Sequence, residues 1–96
     1  MPIVCKSSAI GSGQIMSVDL QGVPVGIANV NGVLYAFSDA CTYNGCSLTK
    51  GSLEGASLVC TCGSKYDLAS GHVLGGPASK RIRTYHVQMD GDDVRI

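Results

Sequence analysis

Two short cysteine-bearing stretches hold the residues of this sequence that could do chemistry. The first runs from Cys41 to Cys46, and the second contains Cys60 and Cys62. A glycine lies in or directly after each stretch, where a strand is expected to run out into a loop. Two such loops placed side by side would bring four thiols into one small volume. A cluster of that kind requires either a metal ion or a disulfide to explain it.

Length and composition are those of one small folded unit. The 96 residues suffice for one domain with a modest core, so residues 1–96 are predicted to form a single domain. Hydrophobic residues make up 45% and charged residues 15% of the chain, which argues against disorder. Seven basic and seven acidic residues cancel, so no nucleic-acid partner is indicated.

The start of the sequence lacks the basic, apolar pattern of a secretory leader. No apolar run approaches the roughly 20 residues of a membrane helix, so we expect a cytoplasmic protein without a membrane partner. In a reducing cytosol a cysteine cluster more often binds metal than forms disulfides. The fifth cysteine, Cys5, stands alone in an apolar stretch and is expected to pack as a small hydrophobic residue.

The rest of the chain is typical of short β-strands separated by turns. Residues 14–20 alternate between apolar and polar, and Asn31-Gly32 between two valines predicts a type I′ hairpin turn. Residues 81–89 alternate again and are predicted to be one strand, whereas residues 47–55 are turn-rich. Eight or nine short strands and no helical periodicity predict an all-β antiparallel sandwich or small barrel.

The cysteine stretches resemble the ligand loops of a Rieske-type [2Fe–2S] ferredoxin. Residues 39–48, around Cys41 and Cys46, resemble the first loop, and residues 60–67 resemble the second. Residues 75–77, Gly-Gly-Pro, resemble the proline-containing loop that covers the cluster in that family. The likeness extends over nearly the whole chain. It implies a Rieske-like fold with metal-binding loops at 41–46 and 60–67 and a covering loop at 75–77.

Both histidine ligands of that family are absent here. In the family two cysteines bind one iron and two histidines bind the other. Tyr43 occupies the first histidine position, and the second loop fits best with one residue deleted between Cys62 and Gly63. His72 and His86 lie outside the ligand loops, so an ordinary Rieske centre cannot be built. Natural divergence and deliberate redesign of the ligand loops both explain these changes, and the sequence leaves the two open.

Four interpretations of the cysteines remain open. The four thiolates bind a single iron or zinc ion, or they hold a [2Fe–2S] cluster; the ligands in both cases are Cys41, Cys46, Cys60 and Cys62. Gly63 favours a rubredoxin-like site, because a glycine after a ligand lets backbone N–H groups turn toward the thiolate. The resemblance implies a third interpretation, a clusterless module with a Cys46–Cys62 disulfide. Five free thiols are the fourth and the least favoured, because exposed thiols oxidise readily.

The resemblance also assigns roles to Ser64 and Tyr66, whose hydroxyls would donate hydrogen bonds to sulfur and raise the reduction potential. The alternative is a turn serine and a core tyrosine. We predict a small, monomeric one-electron carrier with an all-cysteine site and a reductase or oxygenase as redox partner. No nucleophile–base pair is visible, so the chain is not predicted to be an enzyme. A structural zinc site on a Rieske scaffold is the alternative function.

Overall fold

The computed structural model describes residues 2–96, and in this range the chain is built almost wholly from short β-strands. Two single-turn 3-10 helices, Ser7–Ala9 and Leu48–Lys50, interrupt them. The strands are β1 (Ile3–Lys6), β2 (Ile15–Leu20), β3 (Val23–Val30), β4 (Val33–Ser38), β5 (Ser52–Glu54), β6 (Ser57–Val59), β7 (Lys65–Asp67), β8 (Val73–Gly75), β9 (Thr84–Tyr85), β10 (Gln88–Asp90) and β11 (Asp93–Arg95).

The strands form three antiparallel sheets. Their orders are β1-β11-β10, β2-β3-β4-β9 and β5-β6-β7-β8. The last two sheets supply the cysteine loops, since the first loop follows β4 and the second joins β6 to β7. The predicted all-β antiparallel fold is confirmed.

The β3–β4 hairpin forms where the sequence predicts it. Asn31 and Gly32 have φ values of 52° and 90°, as a type I′ turn requires, and Val30 pairs with Val33. The Asn29 side-chain oxygen accepts a hydrogen bond from the Gly32 N–H at 2.8 Å, which further fixes the turn. This hairpin sets the register of the strand that leads into the first cysteine loop.

Two groups of buried side chains form the core. One group packs under the cysteine loops and includes Phe37, Leu58 and Tyr66 together with Cys41 and Cys60. The other packs β3 and β4 against the chain termini, with Ile10, Val25, Ile27, Ala36 and Ile96 as its buried members. The two buried cysteines therefore share the core that holds β4 against β6 and β7.

The strand predictions are wrong in two places. The strand predicted over residues 81–89 is divided, because Thr84 pairs with β4 while Met89 pairs with β11. Pairing with β4 ends at Tyr85 and pairing with β11 begins at Gln88, so the chain changes sheet between β9 and β10. The turn-rich stretch 47–55 also contains β5, which pairs with β6. Its three residues are too short to show a period in the sequence.

Helices are scarce in the structure, and none of them between residues 2 and 96 has the length and apolar character needed to cross a membrane.

Candidate metal centre

Each cysteine loop is closed by a backbone hydrogen bond between its ends. The Cys41 N–H donates to the Cys46 carbonyl at 2.9 Å, and the Cys60 N–H donates to the Ser64 carbonyl at 2.8 Å. The closed loops hold two cysteines each at the ends of β4 and β6. The second loop lies between the paired strands β6 and β7, and the first lies between β4 and the 3-10 helix Leu48–Lys50, so ordered structure flanks both loops.

A glycine with left-handed backbone allows each loop to turn tightly. Gly45 has φ of +74° and donates its N–H to the Cys41 carbonyl, and Gly63 has φ of +95° and donates to the Cys60 carbonyl. Other residues rarely adopt this conformation because their Cβ atoms clash with the backbone. The role expected for Gly63, to let backbone N–H groups turn toward a thiolate, stays a prediction, since its own N–H donates to the Cys60 carbonyl here.

The structure brings together the four predicted cysteines. All four Sγ atoms lie within 4.8 Å of one another. The Sγ atoms of Cys41 and Cys62 are 3.5 Å apart, and those of Cys46 and Cys60 are 2.9 Å apart. Cys41 and Cys60 are 3% and 2% exposed, whereas the other two are only half-buried. One side of the cluster thus faces the core and the other faces solvent.

The Cys46–Cys62 disulfide does not form in this structure. All five cysteines are free, and Cys46 Sγ is in contact with Cys60 Sγ. The clusterless, disulfide-linked alternative therefore gains no support from the geometry.

The size of the cluster fits one tetrahedral ion. A metal–sulfur bond of about 2.3 Å gives a sulfur–sulfur edge of roughly 3.8 Å in a tetrahedron. The observed separations of 2.9 Å and 3.5 Å, with an upper limit of 4.8 Å, lie around that value. A Rieske cluster does not fit, since the exposed side chains of His72 and His86 are not among the grouped ligands.

Cys41 Sγ is the sulfur with the most hydrogen-bond donors around it. Burial raises the pKa of the Cys41 thiol, but the Tyr66 hydroxyl and the backbone N–H groups of Tyr43 and Asn44 outweigh burial and lower the pKa to about 6. The Tyr66 oxygen lies 3.3 Å from the sulfur. Thiolate character is therefore stabilised at this position before any cation is bound.

Cys60 Sγ has the opposite environment. Burial and the neighbouring Cys46 thiol raise the pKa of Cys60 to about 12, and only the backbone N–H of Cys62 among its main contacts favours the thiolate. Four thiolates this close repel one another strongly in a buried site. The fully ionised cluster thus requires a cation to balance its charge.

Ser64 is completely buried and connects the second cysteine loop to residues 75–80. These residues include the predicted covering loop at 75–77 and are called the covering segment below. The Ser64 Oγ accepts a hydrogen bond from the Ala78 N–H at 3.2 Å and lies 3.2 Å from Cys62 Sγ. The covering segment approaches closely here, because a Cβ on Gly76 would lie 2.3 Å from the Gly63 carbonyl oxygen. Ser64 and Tyr66 both reach sulfur atoms, as their predicted roles require, and both are also core residues.

Sequence reasoning missed two polar residues beside the site. The buried Asp39 carboxylate accepts hydrogen bonds from the hydroxyls of Ser17 and Ser47 and from the N–H and hydroxyl of Thr49. Thr42, next to Cys41, contacts both Tyr66 and the covering segment. An acidic residue just before the first cysteine, with hydroxyl residues just after the loop, was the signal that could have indicated Asp39.

Comparisons with known proteins show the family to which the chain belongs. The family described as "Rieske [2Fe-2S] domain" matches residues 1–86. The ferredoxin component of a naphthalene 1,2-dioxygenase system from Pseudomonas aeruginosa is 30% identical over 91% of this chain and 85% of its own length. The ferredoxin component of biphenyl 2,3-dioxygenase from Rhodococcus jostii is 29% identical over 97% and 88% of the two chains.

Solved structures show the same fold. The ferredoxin of Sphingomonas yanoikuyae B1 superimposes with a TM-score of 0.94, with 25% identity, over 99% of this chain and 95% of its own. A chain from a complex of oxygenase and ferredoxin in carbazole 1,9a-dioxygenase superimposes with a TM-score of 0.91, 25% identity and 98% coverage of both chains. From the matched residues, the β-sheet architecture and the paired cysteine loops together, the chain belongs to the Rieske [2Fe–2S] domain family.

Proposed function

We propose that this chain is a one-electron carrier in which Cys41, Cys46, Cys60 and Cys62 bind a single iron ion. The observation that carries the proposal is the mutual distance of the four Sγ atoms, none more than 4.8 Å from another. Four thiolates suit iron or zinc in tetrahedral geometry. Iron is preferred because the relatives are ferredoxins, and bound iron would supply one-electron redox chemistry.

The compactness of the cluster favours one ion over a [2Fe–2S] cluster. In a diiron cluster, thiolates on opposite irons lie farther apart than thiolates on the same iron, because two irons and their bridging sulfides lie between them. Sulfur atoms within 4.8 Å of one another are closer than the outer thiolates of a diiron cluster would be, which supports a single ion. In a Rieske cluster two histidines bind the second iron, and both of these histidines are absent here.

The protein residues around the cluster have two tasks in this function. The buried Cys41 and Cys60 fix the site to the core, and their rigid backbones limit the rearrangement between oxidation states. The half-buried Cys46 and Cys62 bring the site to the surface, where an electron can leave over a short distance. Tyr43 is 58% exposed beside them and provides apolar contact area for a partner.

The partner proposed for this surface is the oxygenase component of an aromatic-ring dioxygenase system. Support comes from the relatives, which are ferredoxin components of naphthalene and biphenyl dioxygenases. A reductase would reduce the carrier at the same face. If the four thiolates held a diiron cluster instead, two thiolates in place of two neutral imidazoles would make the site more negative than a Rieske centre, and its potential should then be lower than that of the relatives.

Metal and acid-labile sulfide analysis of the purified protein, read beside its visible spectrum, tests the proposal. We expect about one iron per chain and no sulfide. Cys60→Ser should lose the iron and its colour, whereas Cys5→Ser, the matched control outside the cluster, should keep both. Two irons with two sulfides would replace the single ion by a diiron cluster. Zinc alone would indicate a structural metal site instead of an electron carrier. No bound metal after anaerobic reconstitution would overturn the proposal that the four cysteines bind a metal ion.

A further inference from the structure

The Tyr66 hydroxyl has two acceptors for its single proton. Its oxygen lies 3.3 Å from Cys41 Sγ and 3.0 Å from Thr42 Oγ1. The same oxygen also accepts a hydrogen bond from the Thr42 N–H at 3.3 Å. When Cys41 is a thiolate it has no proton to donate, so Tyr66 is then the donor to the sulfur.

The direction of the Thr42–Tyr66 hydrogen bond is fixed by a third group. Thr42 Oγ1 lies 2.6 Å from the backbone carbonyl of Lys80. A carbonyl oxygen can only accept, so the single hydroxyl proton of Thr42 is directed to Lys80. Thr42 Oγ1 can therefore only accept from Tyr66. The threonine oxygen and the cysteine sulfur compete for one tyrosine proton.

We propose that Thr42 is a positioning residue that lowers the reduction potential of the proposed iron site by drawing the Tyr66 hydroxyl proton away from Cys41 Sγ. The proposal rests on the proposed function. The inference adds to that function a role for Thr42, which binds no metal and acts only through Tyr66. Sulfur is a larger atom than oxygen, so the 3.3 Å and 3.0 Å separations are both hydrogen-bond distances, and both acceptors are within reach of the single tyrosine proton.

The covering segment takes part in the same chain of hydrogen bonds. Lys80 follows Pro77, and its carbonyl sets the direction of the Thr42 hydroxyl. If that carbonyl moved away, Thr42 could turn its own proton toward Tyr66 and leave the tyrosine proton to the sulfur. The position of the segment after Pro77 is thereby linked to the charge on Cys41, although the segment donates nothing to the Cys41 sulfur itself.

The sign of the expected effect follows from electrostatics. A hydrogen bond donated to a thiolate ligand stabilises the more negative, reduced state more than the oxidised state. Removing the competing acceptor strengthens the bond to Cys41 Sγ and should raise the potential. Removing the donor should lower it. Thr42 is exposed, so a substitution there leaves the core packing intact.

Redox titration of five iron-loaded proteins tests the proposal: the unaltered chain, Thr42→Val, Thr42→Ser, Tyr66→Phe and the Thr42→Val/Tyr66→Phe double variant. We expect Thr42→Val to raise the potential, Thr42→Ser to leave it unchanged and Tyr66→Phe to lower it. In the Tyr66→Phe background, Thr42→Val should produce no further shift. The thiolate-to-metal absorption bands of the cobalt-loaded proteins give a second readout, in which the two single variants should shift in opposite directions.

The shifts in reduction potential, read together with the iron content, distinguish a failure of this inference from a failure of the proposed function. An unchanged or lowered potential in Thr42→Val would overturn the role of Thr42, as would an equal shift in the presence and absence of the Tyr66 hydroxyl. In both cases the iron content would still support the carrier function. A chain that takes up neither iron nor cobalt would overturn the carrier function and this inference together.

Discussion

The Sγ atom of Cys46 lies 2.9 Å from that of Cys60, a residue of the opposite cysteine loop, and the two come from the half-buried and the buried side of the cluster. The family resemblance would instead pair Cys46 with Cys62. In the metal-free protein no cation holds the thiolates apart. We expect a disulfide to form between the two nearest sulfurs, because one sulfur must attack the other directly.

Oxidation of the metal-free protein should therefore produce a Cys46–Cys60 disulfide. One thiolate attacks oxidised glutathione, which forms a mixed disulfide and releases one glutathione thiolate. The second cysteine thiolate then attacks the mixed disulfide, which forms the protein disulfide and releases the second glutathione thiolate. Peptide mapping by mass spectrometry after chelation would identify the linked pair. Cys46→Ser should abolish that crosslink, with Cys5→Ser as the control. A dominant Cys46–Cys62 crosslink would contradict the prediction.

Asp39→Asn should destabilise the first cysteine loop. The carboxylate accepts four hydrogen bonds that tie Ser47 and Thr49, just after the loop, to Ser17 of β2. An amide has one acceptor oxygen, so partly buried donors lose their partner, at a cost of about 1–3 kcal/mol or less.

Urea unfolding of the metal-loaded protein measures this cost. The exposed Asp19→Asn is the matched control and should leave the free energy of unfolding within about 0.5 kcal/mol of the unaltered chain. If the two variants were equally stable, the carboxylate would not be the anchor of the loop.

Gly76→Ala should be much more harmful than Gly75→Ala. At position 76 the added Cβ would lie 2.3 Å from the Gly63 carbonyl oxygen and 2.6 Å from Ser64 Cα, and φ is +83°. The backbone conformation alone costs about 1–2 kcal/mol for a residue with a Cβ, and the contact adds to it. Position 75 has open space around the same atom.

Thermal unfolding and metal retention compare these two neighbours. Because the second cysteine loop lies under Gly76, the alanine there should also speed the loss of metal to a chelator. Equal melting temperatures would show that the covering segment moves aside without cost and does not hold the loop.

The acid side of the stability curve should depend on Asp92. Hydrogen bonds from Ser7 and Ser8 lower the pKa of this carboxyl below its ordinary value of 3.8. A lowered folded-state pKa means that the stabilisation is present above the unfolded pKa and is lost as the pH falls through the folded pKa. The difference in stability between the unaltered chain and Asp92→Asn should be constant near neutral pH and shrink below about pH 4. A difference that did not change with pH would show that the charge has no role.

Local sequence signals predicted the turns and most of the strands because they act over a few residues. Asn31-Gly32 determines its hairpin by backbone preference alone, and alternation of side chains over 14–20 is readable without knowledge of the fold. The division of residues 81–89 into two strands could not be predicted from the sequence. The alternation of side chains continues there while the pairing partner changes from β4 to β11.

The sequence by itself determined the family, the all-β class and the set of four cysteines that meet, because these depend on residue types at short spacings. Only the tertiary structure decided that Cys46 lies against Cys60, that Asp39 anchors the first loop, and that Thr42 competes for the Tyr66 proton. Each of these contacts joins segments that are distant in the chain. Their distances depend on how the sheets pack, which no local pattern specifies.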